Sequence, residues 1–171
     1  INPPTLVADL SPDPDDWSHG FPLAVFGNKL YFIGSDSIHG PELWEYNGID
    51  SPVLTADINP GPAGSNVRYM THYHHRLYFS ARTDFYGQEL WEFNGADPPE
   101  MVVDINPGPS GSEPNNLIVF DDKLYFSADD CFHGKELLSL FLNVTGERKL
   151  EKIKRLPDRF LHCYPNPTHN L

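Results

Sequence analysis

The fold of this chain is decided by the segment Arg76–Gly95, which reads RLYFSARTDFYGQELWEFNG. It contains two runs rich in aromatic and aliphatic residues, Arg76–Ala81 and Glu89–Phe93, and such runs are typical of β-strands. The turn Asp84–Gly87 separates them, and Asn94-Gly95 follows as a strong hairpin turn, because both residues tolerate a positive φ. The segment therefore predicts consecutive antiparallel strands joined by tight turns.

The same pattern occurs three times, and this internal repeat is the strongest signal in the sequence. Two motifs recur with a spacing of 47 residues, Leu-Tyr-Phe at 30–32, 77–79 and 124–126 and Gly-x-Glu-Leu at 40–43, 87–90 and 134–137. An aspartate that ends an apolar run recurs with spacings of 48 and 47 residues, at Asp9, Asp57 and Asp104. Three landmarks with one period indicate three equivalent units.

Each unit predicts four short strands, which in the second unit cover Val67–His72, Arg76–Ala81, Glu89–Phe93 and Glu100–Ile105. Outside the C-terminal tail no apolar period of 3.6 residues persists for three turns, so no helix is expected. Four strands in about 40–50 residues are typical of a β-propeller blade, a four-stranded antiparallel sheet in an all-β fold. The alternative is a β-trefoil, but the tight turns favour the blade, because trefoil units need longer excursions.

The predicted propeller part covers residues 1–142, with units at about 10–57, 58–104 and 105–142, a stray fourth strand at 5–10, and a tail at 143–171. Closed propellers contain about four to eight blades, so three do not complete a ring. We therefore expect either a fragment of a longer protein with further blades or a homo-oligomer. In a six-bladed dimer, Thr5–Leu10 would complete the partner's last blade. An isolated open arc would leave an unpaired strand edge.

The chain resembles a bacterial tandem-repeat family with the pattern ELWxxDG, DINPG and LYFSAxDGxxGxELW. The resemblance rests on Glu42–Gly48 and Glu89–Gly95, which both begin with ELW, and on Asp57–Gly61 and Asp104–Gly108, which both read DINPG. It covers residues 5 to about 140. It implies a propeller fold in large secreted or surface proteins, with no settled activity.

The outer units depart from this pattern, as terminal repeats do when one face has no neighbouring repeat. In the third unit Leu138 replaces the tryptophan, and the first linker, Asp9–Asp13, reads DLSPD. In the tail, Tyr164–Thr168 reads YPNPT and resembles the start of the sorting domain of the type IX secretion system. The alternative interpretation of these five residues is a proline-rich turn.

The composition excludes two classes of partner. With 24 acidic and 12 basic residues the net charge is −12, whereas nucleic-acid binding needs a basic surface. No run of 18 apolar residues occurs, so no transmembrane helix is expected. Together with the resemblance, this predicts a secreted or cell-surface location.

The turn between the second and third strands contains the main candidates for a ligand site. They are, unit by unit, Asp36, His39 and Glu42; Asp84, Tyr86 and Glu89; and Asp130, His133 and Glu136. Carboxylates suit Ca²⁺ and imidazoles suit Zn²⁺, so a weak calcium site is one interpretation, with the metal unknown. The other is a structural turn, in which an Asx hydrogen bond, a glycine at positive φ and a strand-opening glutamate shape the backbone.

Two further residue pairs have alternative interpretations. Trp44 and Trp91 can stack on sugars or pack between blades, and the second role is common for an aromatic repeated in every full blade. Cys131 and Cys163 can form one disulfide or remain two unrelated thiols, and the sequence does not decide between them.

No catalytic motif is present: the sequence lacks a Gly-x-Ser-x-Gly elbow, a phosphate loop, a cysteine metal knuckle and His-Glu-x-x-His. We therefore predict a non-enzymatic extracellular module that binds a protein or a glycan, or builds an assembly, without a cofactor. The alternatives are the propeller part of a polysaccharide-active enzyme, since a pair of carboxylates is a three-dimensional feature, and an oligomeric lectin.

Overall fold

The computed structural model describes residues 3–10, 24–142 and 148–152. Within these ranges the chain forms twelve β-strands and no helix, which confirms the all-β prediction. The described residues therefore include no candidate membrane-spanning helix. The predicted sorting motif at Tyr164–Thr168 and the residue Cys163 lie outside the described residues.

The strands form three four-stranded antiparallel sheets, and each sheet takes its strands from one repeat in chain order. Sheet 1 contains β1 Ala24–Phe26, β2 Lys29–Asp36, β3 Gly40–Tyr46 and β4 Val53–Ala56. Sheet 2 contains β5 Arg68–Tyr73, β6 Arg76–Thr83, β7 Gly87–Phe93 and β8 Glu100–Val103. Sheet 3 contains β9 Asn115–Phe120, β10 Lys123–Asp129, β11 Lys135–Leu142 and β12 Arg148–Lys152.

Side chains alternate between the two faces of each sheet, because successive residues of a strand point to opposite sides. In sheet 2, Leu77 and Phe79 point to one face, Tyr78 points to the other, and all three are fully buried. In the β6–β7 pairing, Phe79 lies opposite Trp91. Burial of both faces explains the consecutive apolar residues Leu77–Phe79 at the centre of β6.

The sheets pack face to face, with an apolar core between each pair. The core between sheets 1 and 2 contains the buried side chains of Tyr31, Ile33, Leu43, Val67, Leu77, Phe79, Ala81 and Phe93. The core between sheets 2 and 3 contains those of Tyr73, Tyr78, Leu90, Leu124, Phe126, Ala128, Leu138 and Leu140. Sheet 2 is thus enclosed on both sides, and the three sheets, as far as they are described, do not close into a ring.

The first strands of the three sheets lie side by side, because β1 contacts β5 and β5 contacts β9. The hydroxyl of Thr71 donates to the carbonyl oxygen of Leu117 at 3.0 Å, and the Tyr73 hydroxyl donates to that of Asp122 at 2.7 Å. Both hydrogen bonds link β5 to the hairpin β9–β10. The stack therefore has one margin at which the first strand of each sheet meets the first strand of the next.

The linkers between sheets lie against the start of the third strand of the sheet before them. Gly111, at φ +64°, approaches Gln88 so closely that a Cβ on it would lie 2.3 Å from the Gln88 nitrogen. The backbone nitrogen of Glu113 donates to the Gln88 carbonyl at 3.0 Å. Gly64 makes the equivalent approach to Pro41, with a Cβ placed 2.5 Å from the Pro41 nitrogen. Only glycine fits both the positive φ and the close contact.

Two segments differ from the predicted boundaries. Residues 3–10 include the predicted stray strand at 5–10, and they form no strand. β12 Arg148–Lys152 lies beyond the predicted end of the third unit at residue 142 and pairs with β11 as the fourth strand of sheet 3. Leu150 of β12 packs against the second core, which explains how a charged segment is held in the sheet.

Replacing Gly111 with alanine should destabilise the protein more than replacing Gly27 with alanine. Both glycines have a similar positive φ, +64° and +54°, but Gly27 has open space around it. Gly27→Ala should lose about 1–2 kcal/mol, the cost of a left-handed residue with a Cβ. Gly111→Ala should lose a further 1–3 kcal/mol or so, because the methyl group overlaps Gln88. Urea unfolding measures both, and equal losses would show that the close approach is not required.

Candidate functional site

The predicted turn residues of the first repeat form an Asx turn between β2 and β3. One carboxylate oxygen of Asp36 accepts hydrogen bonds from the backbone nitrogens of Ile38 at 2.9 Å and His39 at 2.6 Å. The other oxygen lies 2.7 Å from Nδ1 of His39. The aspartate and the histidine are therefore partners of each other, and they shape the turn.

The third repeat has the same geometry. One Asp130 oxygen accepts hydrogen bonds from the backbone nitrogens of Phe132 at 3.0 Å and His133 at 2.7 Å. The other oxygen lies 2.8 Å from Nδ1 of His133, and Asp130 is only 2% exposed. The aspartate faces its own turn, so the arrangement serves the backbone in this repeat too.

In the second repeat the residue equivalent to Asp36 and Asp130 is Thr83, one position before the predicted Asp84. The Thr83 hydroxyl oxygen accepts a hydrogen bond from the Tyr86 backbone nitrogen at 3.1 Å. Asp84 instead extends its carboxylate towards Arg82 at 3.5 Å. In all three repeats the side chain of the first turn residue accepts a hydrogen bond from a backbone nitrogen of the turn, while the chemistry of that side chain changes.

The hydrogen bond between Asp36 and His39 affects the protonation of both residues. It raises the pKa of His39, because the carboxylate stabilises the imidazolium. Burial by itself would raise the pKa of Asp36, but the hydrogen bonds from His39 and Ile38 outweigh it and lower the pKa. The pair is therefore a charge-assisted contact within the turn.

The glutamates of the Gly-x-Glu-Leu motif bind the linkers. Glu42 is fully buried and accepts hydrogen bonds from the backbone nitrogens of Ile58 at 3.1 Å and Asn59 at 2.9 Å. It also accepts one from the Ser65 hydroxyl at 2.5 Å. Four polar groups of one junction thus meet between β3 and the segment that leads into sheet 2.

Glu89 repeats this arrangement at the junction of sheets 2 and 3. It accepts hydrogen bonds from the backbone nitrogens of Ile105 at 3.3 Å and Asn106 at 3.1 Å. Ser112 donates twice, from its nitrogen at 2.9 Å and its hydroxyl at 2.5 Å. The third glutamate, Glu136, is half-buried and makes no equivalent bond to the residues that the structure describes. The motif therefore acts where one sheet is joined to the next.

Burial raises the pKa of both carboxyls that bind the linkers, those of Glu42 and Glu89. It raises the pKa of Glu89 to about 7, and the hydrogen bonds from Ser112, Asn106 and Ile105 offset only part of this effect. It also raises the pKa of Glu42, against the hydrogen bonds from Ser65, Asn59 and Ile58. A carboxyl with a pKa near neutrality often marks an active site, but here both oxygens are used by linker donors.

Sequence reasoning missed the residues that face these glutamates. Asn59 donates to the Gly64 carbonyl at 2.9 Å and accepts from the Asp84 nitrogen at 2.9 Å, so it joins the linker to the next sheet's turn. Ser65 and Ser112 are the hydroxyl donors to the glutamates. The signal was present, because Pro-Gly-Pro-x-Gly-Ser recurs at 60–65 and 107–112, again 47 residues apart.

The two tryptophans lie within the stack. Trp44 is 8% exposed, and its ring covers Gly34, on which a Cβ would lie 2.8 Å from the ring. Trp91 is half-buried and packs against the core between sheets 1 and 2. The contacts of both rings are those of packing residues.

One position of the turn is exposed and apolar in all three repeats. Ile38 is 69% exposed, Phe85 is 64% exposed and Phe132 is 49% exposed, and the three residues are spaced 47 apart. An aromatic or imidazole ring follows each of them in the sequence. Phe85 packs edge-on against Tyr86 with ring centres 4.7 Å apart. We call Ile38, Phe85 and Phe132 the turn row.

A small polar cavity lies at the junction of sheets 2 and 3. Gln88 donates to the Ser80 hydroxyl at 2.9 Å in its wall, whereas Pro41 and Ile33 hold the equivalent positions of sheet 1. Its volume, about 90 Å³, leaves room for a few ordered water molecules. It is lined by Arg68, Tyr69, Ser80, Gln88, Glu113, Pro114, Asn115 and Lys135.

The described ranges contain no group of three His, Cys, Asp or Glu side chains that could hold a metal ion. The alternative of a disulfide between Cys131 and Cys163 falls outside the described residues, because Cys163 is not among them. No protein-family model matches the chain, and neither a curated protein nor a solved structure matches it.

The stability of the protein should fall as the pH rises from about 4.5 to about 7, the interval between the ordinary pKa of a glutamate and that of Glu89. Over this interval the native carboxyl keeps its proton while the unfolded one loses it, so deprotonation favours unfolding. Glu89→Gln should remove a large part of this dependence, because glutamine does not titrate. Glu42, whose pKa is also raised, should supply much of the remainder.

Urea unfolding at several pH values measures the effect, with Glu136→Gln as the matched control at the equivalent position. The control variant should keep the wild-type pH dependence. If Glu89→Gln and the wild type lost stability equally between these pH values, Glu89 would not titrate as described.

Proposed function

We propose that the three sheets are consecutive blades of a β-propeller and that the chain is a non-enzymatic binding module outside the cell, with a glycan or a protein as its ligand. The fold part of the proposal is supported by the face-to-face packing of sheets that each come from one repeat. The adjacency of the first strands supports it as well, because blades meet at their inner strands. In a β-trefoil, strands of different repeats would share one barrel.

The turn row is the observation that carries the binding function. The turn is shaped by the side chain of its first residue and by its glycine. The side chains of Ile38, Phe85 and Phe132 between them are exposed. Large apolar side chains exposed at the same place in successive repeats are typical of a contact surface. The turns, held by a rigid stack, place these residues on loops, where ligand contacts commonly lie.

The chemistry of the turn row favours the binding of a glycan over catalysis. Phe85 and Phe132 offer flat apolar surfaces, and the neighbouring Tyr86 and His133 offer polar groups, a combination that suits the apolar faces and hydroxyl groups of sugars. The repeated carboxylates, in contrast, are engaged by the linkers and the turns. This supports a module that binds without converting its ligand, and a protein ligand is the alternative.

The extracellular location rests on the resemblance to secreted repeat proteins and on the acidic composition. The net charge of −12 keeps such a module away from anionic nucleic acids. The YPNPT motif in the tail adds a second, independent resemblance to exported proteins. These observations are sequence-based, and they agree with a module displayed at the cell surface or released from it.

Variants of the turn row test the binding function. On a glycan array the wild-type protein should bind one class of glycan, and Phe85→Ser and Phe132→Ser should each weaken that binding about tenfold or more, since an aromatic contact contributes about 1–2 kcal/mol. Ile49→Ser is the matched control, because Ile49 is 87% exposed on the turn after β3. Equal binding by all four proteins would remove the turn row from the contact surface, and a blank array would contradict the choice of glycan.

A hydrolysis assay tests the absence of catalysis. The protein is incubated with neutral and acidic polysaccharides, and new reducing ends are measured over time. We expect no release above a heat-denatured control, because the buried carboxylates face the protein's own linkers. Reproducible turnover by the chain alone would favour the alternative of a polysaccharide-active enzyme.

A further inference from the structure

The outer face of sheet 3 is apolar and open to solvent. Ile118 lies opposite Tyr125, so both point to this face, and Phe120 lies two residues from Ile118 on the same side. Leu137 lies opposite Ser127, which shares the face of Tyr125. We call these four residues, Ile118, Phe120, Tyr125 and Leu137, the sheet 3 face.

The equivalent residues of the other two sheets are buried by the sheet that follows. Leu43 and Leu90 are both 0% exposed, whereas Leu137 is 52% exposed. Tyr73 is 3% exposed in the core between sheets 2 and 3, whereas its equivalent, Phe120, is 70% exposed. The sheet 3 face is therefore one half of an interface that the chain already forms twice, here without its other half.

Sheet 1 provides that other half on its outer side. In sheet 2, Leu77, Phe79 and Phe93 pack on the preceding sheet and are at most 5% exposed. Their equivalents in sheet 1 are Leu30, Phe32 and Tyr46, which are only half-buried. We call these three residues the sheet 1 face.

The segment before sheet 1 lies where the interface requires it. The Leu10 side chain lies directly over Gly34, because a Cβ on Gly34 would be only 2.6 Å from it. Ile58, which is equivalent to Leu10 in the DINPG linker, packs against the core between sheets 1 and 2. Leu10 thus makes the linker's contact on the sheet 1 face. Leu6 and Val7, just before it, are 82% and 61% exposed.

We propose that the sheet 3 face of one chain packs on the sheet 1 face of a second copy, and that two such contacts close a ring of six sheets. The inference rests on the propeller arrangement proposed above. The partner is a second copy because the two faces are the two halves of one interface that already joins sheets 1 to 2 and 2 to 3. A head-to-tail contact closes when its rotation divides the circle, and six blades lie within the usual range of about four to eight.

The occupied edge of sheet 3 decides how the copies meet. β12 already pairs with β11, so the fourth-strand position of sheet 3 is filled by its own chain. The second copy therefore contributes a packed face and no strand, and residues 5–8 of the partner are not needed to complete sheet 3. This differs from a ring in which Thr5–Leu10 replaces the last strand of the partner.

Sedimentation equilibrium of the full chain tests the ring over a range of micromolar concentrations. The wild-type protein should have twice the 19.3 kDa mass of one chain. Phe120→Asp and Leu137→Asp, alone and combined, should reduce the mass to that of one chain while far-ultraviolet circular dichroism keeps its β spectrum, because both side chains are exposed in the single chain. Phe85→Asp, an equally exposed aromatic outside the interface, should stay dimeric.

Variants of the sheet 1 face test the head-to-tail direction. Phe32→Asp and, as a second choice in case it unfolds, Tyr46→Asp should also give single chains. Mixing either of them with the Phe120→Asp chain should restore a mass of two chains at high concentration, because one intact contact remains between them. A dimer that survives Phe32→Asp and Tyr46→Asp but not Phe120→Asp would be joined through two sheet 3 faces and would overturn the proposal.

Two other outcomes would also overturn it: a wild-type chain that stays single throughout, or masses that grow without limit, which indicate an open filament. Either result leaves the binding proposal measurable, because Phe85 and Phe132 lie in turns outside both faces. A single-chain Phe120→Asp protein that still binds the glycan separates the failure of the ring from the failure of the binding function.

Discussion

The apolar character of both faces of each small sheet is the constraint on which this structure depends. A four-stranded sheet with apolar residues on both faces is not stable alone, because exposure of either face to solvent is unfavourable. Sheet 2 shows the solution, since Phe79 on one face and Tyr78 on the other are both fully buried. Each such side chain contributes about 1.5–3 kcal/mol when it leaves water, so a neighbour on each side stabilises a sheet with two apolar faces. The need for neighbours, rather than any single strand, produces the stack.

Stacking requires the chain to pass from the outer strand of one sheet to the first strand of the next. This connection explains why the Gly-x-Glu-Leu motif contains a glutamate. The linker has several backbone donors that no strand can satisfy, and a buried unpaired donor is costly. Glu42 and Glu89 accept hydrogen bonds from these donors. Gly64 and Gly111 let the linker lie close to the third strand of the preceding sheet. A carboxylate repeated once per unit and buried at a junction is thus a structural element, although its motif resembles a ligand site.

The period, the strand types and most turns could be predicted from the sequence because they are local properties. Arg76–Ala81 was predicted as a strand and is observed as Arg76–Thr83, an extension of two residues. The partners of the glutamates could not be predicted, since Glu89 and Ser112 are 23 residues apart and meet only in the folded stack. The role of Thr83 was missed because a hydroxyl replaces the carboxylate there, and the neighbouring Asp84 attracted the assignment instead.

Repetition also separates scaffold from surface, because the same position can be compared in three environments. Where the residue type and burial both persist, as at Leu43 and Leu90, the position serves packing. Where the type persists and the burial does not, as at Leu137, no neighbouring sheet among the described residues covers the position. Where an apolar residue is exposed in every unit, as at Phe85, no neighbouring sheet of the stack covers it, and the proposed ligand contact uses this position. The sheet 3 face and the turn row are thus independent surfaces. Closure of the proposed ring would hold the turns of six sheets on one rigid frame.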